Sequence, residues 1–148
     1  MASISIEGAS RTFADGTRAL DGVNLVIADG EFLVLVGPSG CGKSTLLRAV
    51  AGLEPLDQGR VLIGAADVTG KPAGERDIAM VFQNYALYPQ MSVRDNIEFG
   101  LKSRRMSEPE RRERVDDVAG LLGLGALLLR RPSELSGGQL QRVAMGRA

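Results

Sequence analysis

Polar and apolar residues alternate over Ser3-Ile4-Ser5-Ile6-Glu7, the period-two pattern of a half-buried strand. Ala14-Asp15-Gly16-Thr17 follows as a turn, because Asp and Gly supply the dihedrals of a tight reversal. Val23-Asn24-Leu25-Val26-Ile27 reads as a second strand, so the chain is expected to open on an antiparallel hairpin. Ala28-Asp29-Gly30 then turns into Phe32-Leu33-Val34-Leu35-Val36, an apolar run expected as a strand. A glycine-rich stretch leads into the helical pattern Leu46-Leu47-Arg48-Ala49-Val50-Ala51, with Gly52 as its stop. Leu56-Asp57-Gln58-Gly59 reads as a turn, Arg60-Val61-Leu62-Ile63 as a short strand and Lys71-Pro72-Ala73-Gly74 as a loop. Ile78-Ala79-Met80-Val81-Phe82 is apolar almost throughout, as a strand covered on both faces should be.

Beyond Gln83 the period changes. Asn84 to Met91 forms a loop that carries both tyrosines of the chain. Ser92-Val93-Arg94-Asp95 and Ser107-Glu108-Pro109-Glu110 each place a capping serine three residues before an acid, the signature of a helix start. Val115, Val118, Ala119 and Leu122 keep helical spacing up to Gly123. Arg104, Arg105, Arg111, Arg112 and Arg114 interleave with Glu108, Glu110, Glu113, Asp116 and Asp117, which predicts a solvated face laced with i,i+4 pairs rather than an anion patch. Residues 84–135 thus read as a helical insertion in an α/β chain, followed by one more helix start at Ser136.

Composition narrows the class. A hydrophobic content of 44% with 24% charged residues fits a globular domain, and 148 residues make room for one of ordinary size. No apolar run approaches the about 20 residues needed to span a bilayer, and the amino terminus lacks the regions of a secretion signal. Eighteen basic and eighteen acidic side chains cancel, which lends no support to a nucleic-acid partner. The single cysteine, Cys41, has no second thiol to pair with; it reads as a small loop residue of a chain suited to a reducing cytosol.

The candidate chemistry centres on Gly37-Pro38-Ser39-Gly40-Cys41-Gly42-Lys43-Ser44-Thr45, which satisfies G-x-x-x-x-G-K-[ST] between an apolar run and a helix. Glycines let the backbone turn around a phosphate with its N–H groups aimed inward, and the helix start adds free N–H groups and its positive dipole end. Lys43 would reach the β- and γ-phosphates, and the Ser44 hydroxyl would bind Mg²⁺. Gln83 stands at the end of an apolar run, where it can serve a ligand or simply close a strand. Phe13, after the first strand, is either a platform for a flat base or an ordinary packed phenylalanine. Leu135-Ser136-Gly137-Gly138-Gln139 opens a helix, with Gln139 as capping-box partner of Ser136 and two glycines that would let a phosphate approach. On spacing alone, an ordinary capped helix fits it equally well.

Taken together, the loop ending in Lys43-Ser44-Thr45, Gln83 after its apolar run and the Leu135–Gln139 signature resemble the ATP-binding cassette (ABC) ATPases, over the whole chain. The resemblance implies an α/β fold of the P-loop NTPase kind, with an antiparallel β subdomain and a helical subdomain. It implies residues 1–83 as β subdomain and P-loop core, 84–135 as helical subdomain and 136–148 as the start of the signature helix. It implies ATP and Mg²⁺ as cofactors, Phe13 stacking on adenine, and Gly37, Pro38, Ser39, Gly40, Cys41, Gly42, Lys43, Ser44 and Thr45 wrapping the phosphates. Lys43 and Gln83 would act in catalysis, and Ser44 and Gln83 would hold the metal. Leu135, Ser136, Gly137, Gly138 and Gln139 would face the γ-phosphate held by a second ATPase subunit, in a head-to-tail dimer.

The loop Tyr85-Ala86-Leu87-Tyr88-Pro89-Gln90-Met91-Ser92-Val93 resembles the same segment of maltose- and glycerol-phosphate-type import ATPases, which implies Tyr85, Ala86, Leu87, Tyr88 and Pro89 as the groove that receives a helix of the membrane subunit. Two positions depart from it: Gln90 stands where many sugar importers carry histidine, and Leu140 where a basic residue commonly follows the signature. The partners implied are transmembrane permease subunits and, through them, a solute-binding protein, with the ATPase peripheral on the cytoplasmic face of the inner membrane. Family members continue beyond the signature helix with a strand ending in Asp-Glu and, later, a histidine; residues 1–148 contain neither. The strands between Phe32–Val36 and Ile78–Phe82 also come from that continuation. The expectation is therefore a parallel sheet lacking its later strands, and a 148-residue piece that is poorly stable and does not hydrolyse ATP. Two other readings stand beside the importer: a soluble translation-type ABC ATPase, and a non-catalytic nucleotide-binding module. Repair-type members are disfavoured, because they separate phosphate loop and signature by a long coiled coil.

Overall fold

A computed structural model describes residues 2–104 and 106–148, with Ser103 described by its backbone alone. The expectations that touch Met1 and Arg105 lie outside the described residues. The chain divides into two compact units, Met1–Ile78 and Ala79–Ala148.

The first unit is built on a four-stranded sheet in the order β2-β1-β3-β4, formed by β1 (Ile4–Thr12), β2 (Arg18–Ile27), β3 (Gln58–Ile63) and β4 (Ala66–Asp67). Every pairing is antiparallel, with Ile4 opposite Ile27 on one side and Ile63 on the other. β1 and β2 are longer than the alternation alone suggests. Gly8 and Gly22 look like strand ends, yet the ladder continues past them through register shifts, with Asn24 Oδ1 accepting the Gly8 N–H at 2.9 Å. Alternation, shifted by one residue at the irregularity between Ile6 and Ala9, puts Ile6, Ala9 and Leu20 on the buried face, where helix α1 (Lys43–Val50) lays down Leu46 and Ala49.

Two expected strands are absent as strands. Phe32–Val36 and Ile78–Phe82 form no regular element and carry no ladder, and the described residues contain no parallel pair. A strand exists only where a neighbour takes its N–H and C=O groups, and no described strand pairs with these runs. Phe32 is 90% and Val36 89% exposed, while Leu35 packs against the core of this unit.

Arg76 closes the far end of α1. Its guanidinium is buried and donates to the carbonyls of Ala49 (2.8 Å), Val50 (2.9 Å), Lys71 (2.9 Å) and Thr69 (3.0 Å). The carbonyls that end a helix have no intrahelical partner and carry its negative dipole end, so a cation there supplies both needs. Burial pulls the Arg76 pKa below its ordinary value, and Asp67 opposes that.

The second unit is helical: α2 (Val93–Ser103), α3 (Glu108–Leu121) and α4 (Gly137–Arg147), with short 3-10 turns at Gly125–Leu127 and Pro132–Glu134. The capping boxes form as the sequence spacing requires, at Ser92 with Asp95 and at Ser107 with Glu110. Val93, Ile97, Val115, Ala119, Leu124 and Val143 make its core. The charged face is laced in part across helices rather than along one. Arg112 pairs with Glu108 four residues away, whereas Arg111 reaches Glu98 at 2.7 Å and Arg94 reaches Asp116 at 2.6 Å.

Candidate functional site

In the first unit the glycine loop runs into α1 through Gly42, whose φ is +90°. A Cβ on Gly42 would lie 2.2 Å from the Ala19 carbonyl oxygen of β2, so only glycine lets the loop turn this close to the sheet. The first α-helical bond is Leu46 N–H to Gly42 C=O, which leaves the N–H groups of Lys43, Ser44 and Thr45 without intrahelical partners. Lys43 Nζ arches back over the loop, donating to the carbonyls of Gly37 (2.8 Å) and Pro38 (2.7 Å) and lying 3.3 Å from Cys41 Sγ. Nothing lies within 4 Å of where a Gly40 Cβ would stand, and Ser39, Gly40, Cys41 and Ser44 are exposed. A cradle of open backbone, free N–H groups and one ammonium fits a polyphosphate, and the exposed Ser44 hydroxyl at its mouth fits a metal carried with it.

Phe13 sits in the turn between β1 and β2, held by its N–H to the Thr17 carbonyl (2.8 Å) and its carbonyl to the Gly16 N–H (2.9 Å). Its ring is 37% exposed, with the Arg11 guanidinium 5.5 Å from the centroid. Arg11 is fixed in turn by Glu54 and Asp57, each at 2.8 Å. The Thr12 N–H, and then the Arg11 guanidinium, hold the Asp57 carboxyl below the usual carboxylate range. Two residues after Thr17 comes Ala19, the residue against which Gly42 packs, so the aromatic and the phosphate loop belong to one corner of the sheet.

The second unit holds the other sequence candidates. Gln83 is exposed in a turn at the head of the loop. Tyr85 and Ala86 follow with φ of 61° and 49°, a left-handed pair without glycine. Leu87 packs against the helical core, and Tyr88 meets Phe99 with ring centroids 4.7 Å apart. Pro89 is exposed. Asn96, fully buried, staples this loop: its Oδ1 accepts the Tyr88 N–H (2.9 Å), while Nδ2 donates to the carbonyls of Tyr88 (3.1 Å) and Ser92 (3.0 Å). Ser136 is the N-cap of α4 and donates its N–H to Gln139 Oε1 at 2.8 Å, while Leu135 packs on the helical core. Gly137 and Gly138 are exposed and outside the left-handed region. A Cβ on Gly138 would meet nothing within 4 Å, and one on Gly137 only the Tyr85 hydroxyl, at 3.7 Å.

Sequence reasoning missed Arg76, Asn96 and Arg147 as organising residues. Only Asn96 leaves a trace, a polar residue in the apolar stripe Val93, Ile97, Gly100 of α2. The two arginines look like any solvated arginine until their carbonyl partners are known.

A P-loop opening a helix on an antiparallel sheet, followed by a small helical unit with an Ser-Gly-Gly helix start, is the arrangement of an ABC cassette. The sequence profile of the ABC transporter family matches residues 20–148, and the chain belongs to that family. It is 58% identical to the sn-glycerol-3-phosphate import ATP-binding protein UgpC of Cupriavidus metallidurans, over 100% of this chain and 40% of that protein. The protein of the same name from Bordetella pertussis is 57% identical, over 100% of this chain and 41% of its own length. The chain therefore spans about two fifths of these relatives. Among solved structures it is similar to the ATP-binding cassette MJ0796, determined as a dimer in a post-hydrolysis state with ADP and Pi. The TM-score is 0.88 at 33% identity, covering 97% of this chain and 68% of that one. No helix among the described residues is long and apolar enough to cross a membrane.

Proposed function

We propose that residues 1–148 are the amino-terminal part of one nucleotide-binding domain, in an ATPase subunit that drives solute import through a membrane permease. The cargo class best supported is glycerol phosphate or sugars, from the import ATP-binding relatives at 57–58% identity. In this reading Gly37, Pro38, Ser39, Gly40, Cys41, Gly42, Lys43, Ser44 and Thr45 bind the triphosphate of ATP, and Phe13 stacks on the adenine. Lys43 and the α1 N–H groups would bind the β- and γ-phosphates, and by the family resemblance Ser44 and Gln83 would be metal ligands. Mg²⁺, when bound, neutralises charge building on the transferred phosphoryl group. Gln83 also orients the attacking water, and Tyr85, Ala86, Leu87, Tyr88 and Pro89 seat the permease. Sustained hydrolysis belongs to the full-length subunit at the cytoplasmic face of the inner membrane; residues 1–148 alone bind nucleotide at best.

One observation carries the split-site part of this reading. The phosphate-loop glycine Gly42 is demanded by the chain itself, at φ +90° against the Ala19 carbonyl. Gly137 and Gly138 are not: their backbone is ordinary, a Cβ on Gly138 would stand in open space, and one on Gly137 would make only van der Waals contact with the Tyr85 hydroxyl. Glycine in a helix costs roughly 0.5–1 kcal/mol relative to alanine, so two of them at an exposed helix start point to an anion approaching from outside the chain. That anion is the γ-phosphate held by a second subunit facing head to tail.

The test is thermal unfolding with and without saturating Mg-ATP, in the protein and in Lys43→Ala. A hundredfold excess over Kd should add about 2.7 kcal/mol, and Lys43→Ala should abolish the gain. An equal upward shift in the variant would exclude this loop as the phosphate site.

A further inference from the structure

The loop read above as the permease seat does not stand free; it is tied to the far end of α4 through Arg147. Near the start of the helix the Tyr85 hydroxyl lies 3.7 Å from where a Gly137 Cβ would be. At the other end Arg147 donates Nη1 to the Ala86 carbonyl. Its guanidinium lies 4.3 Å from the Tyr88 ring centroid and 5.9 Å from that of Phe99. The helix spans 11 residues, about 16 Å at 1.5 Å per residue. Ala86 has φ 49°, a conformation an L-residue adopts only when its surroundings hold it there, and Arg147 binds its carbonyl. The face of α4 is further fixed by Gly146, whose Cβ position is 3.0 Å from Val118 and 3.1 Å from Leu122.

We propose that Arg147 is a positioning residue that clamps the Tyr85–Tyr88 loop onto α4, so that the permease seat and the helix headed by Ser136-Gly137-Gly138 move as one piece. This rests on the reading of that loop as the permease seat. The planar fork matters: one edge of the guanidinium binds the carbonyl while its face covers Tyr88, a pair of contacts that a lysine ammonium cannot make together. A shift of the signature helix on closing around a nucleotide would thereby reach the permease with no separate relay.

The full-length subunit, with Arg147→Lys and Arg147→Ala, tests this in three readouts: amide exchange at Ala86 and Tyr88, basal ATPase without membrane subunits, and binding to the permease with the ATPase it stimulates. Both variants should speed exchange at Ala86 and Tyr88 by about tenfold and weaken permease binding by about tenfold, the size of one lost hydrogen bond and one cation–π contact. Basal ATPase and its KM for ATP should stay within about twofold, because the clamp touches no nucleotide group. Unchanged exchange, or faster exchange with unchanged permease binding, overturns the proposal. Basal and stimulated rates falling together with thermal stability would reduce Arg147 to a fold staple and also overturn it. An unsubstituted subunit that binds no permease would sink the importer reading itself, whatever the exchange data show.

Discussion

Gly138→Ala separates what the chain needs from what a partner needs. In this structure the added methyl points into open space, on backbone that alanine adopts freely. Within the first turn of α4 the change should stabilise the protein by roughly 0.5–1 kcal/mol, since alanine loses less conformational freedom than glycine. At about 2–4 °C per kcal/mol for a chain of this size, the melting temperature should rise by about 1–4 °C. In the head-to-tail dimer proposed above, the same methyl would stand between the α4 N–H groups and the γ-phosphate of the facing subunit. Overpacking of that kind costs about 1–3 kcal/mol, a factor of about 5 to 150 in ATP-dependent association. The assay pairs a thermal melt with light scattering of the full-length subunit in Mg-ATP, and Gly42→Ala is the control. There the methyl would collide with the Ala19 carbonyl, so stability and nucleotide binding should both fall. A Gly138→Ala protein that melts lower would mean the glycine serves its own fold. One that dimerises within twofold of the parent would mean no phosphate arrives at that helix start.

Two further substitutions probe side chains that organise each unit from within. Arg76→Met leaves the Ala49, Val50, Lys71 and Thr69 carbonyls without their donor and should cost about 2–4 kcal/mol in urea unfolding; a loss under about 1 kcal/mol would show that water replaces the guanidinium easily. Hydrogen bonds from Arg111 and then Lys102 hold the Glu98 carboxyl below its ordinary range, so its contribution is present above the unfolded carboxylate value and lost as pH falls through the lower folded one. Glu98→Gln should therefore lower the melting temperature at neutral pH, and its gap to the parent should close as pH drops from about 5 to about 3; a gap that stays constant across that window would remove the ion pairs as the cause.

Features set by a few consecutive residues were legible from the chain. Ser92-x-x-Asp95, Ser107-x-x-Glu110 and Ser136-x-x-Gln139 announce helix starts because cap and backbone lie within one turn. The phosphate loop announces itself because its anion nest is made of neighbouring peptide groups. The hairpin of β1 and β2 was legible for the same reason, though Gly8 concealed its length: a glycine that bulges a strand and one that ends it look alike until Asn24 is seen to tie the Gly8 N–H.

Other features depend on partners remote in sequence, and there the chain alone is silent. Phe32–Val36 and Ile78–Phe82 have strand composition, but whether they are strands is decided by a neighbour's carbonyls and amides, which the described residues do not supply. The central place of β1, between β2 and β3, joins segments about fifty residues apart through hydrophobic burial of Ile6 and Val61, a choice no local pattern expresses. Arg76, Asn96 and Arg147 carry the same message. A long or polar side chain acquires its task from the carbonyls and rings brought within about 3 to 5 Å of it, and only the folded chain brings them there.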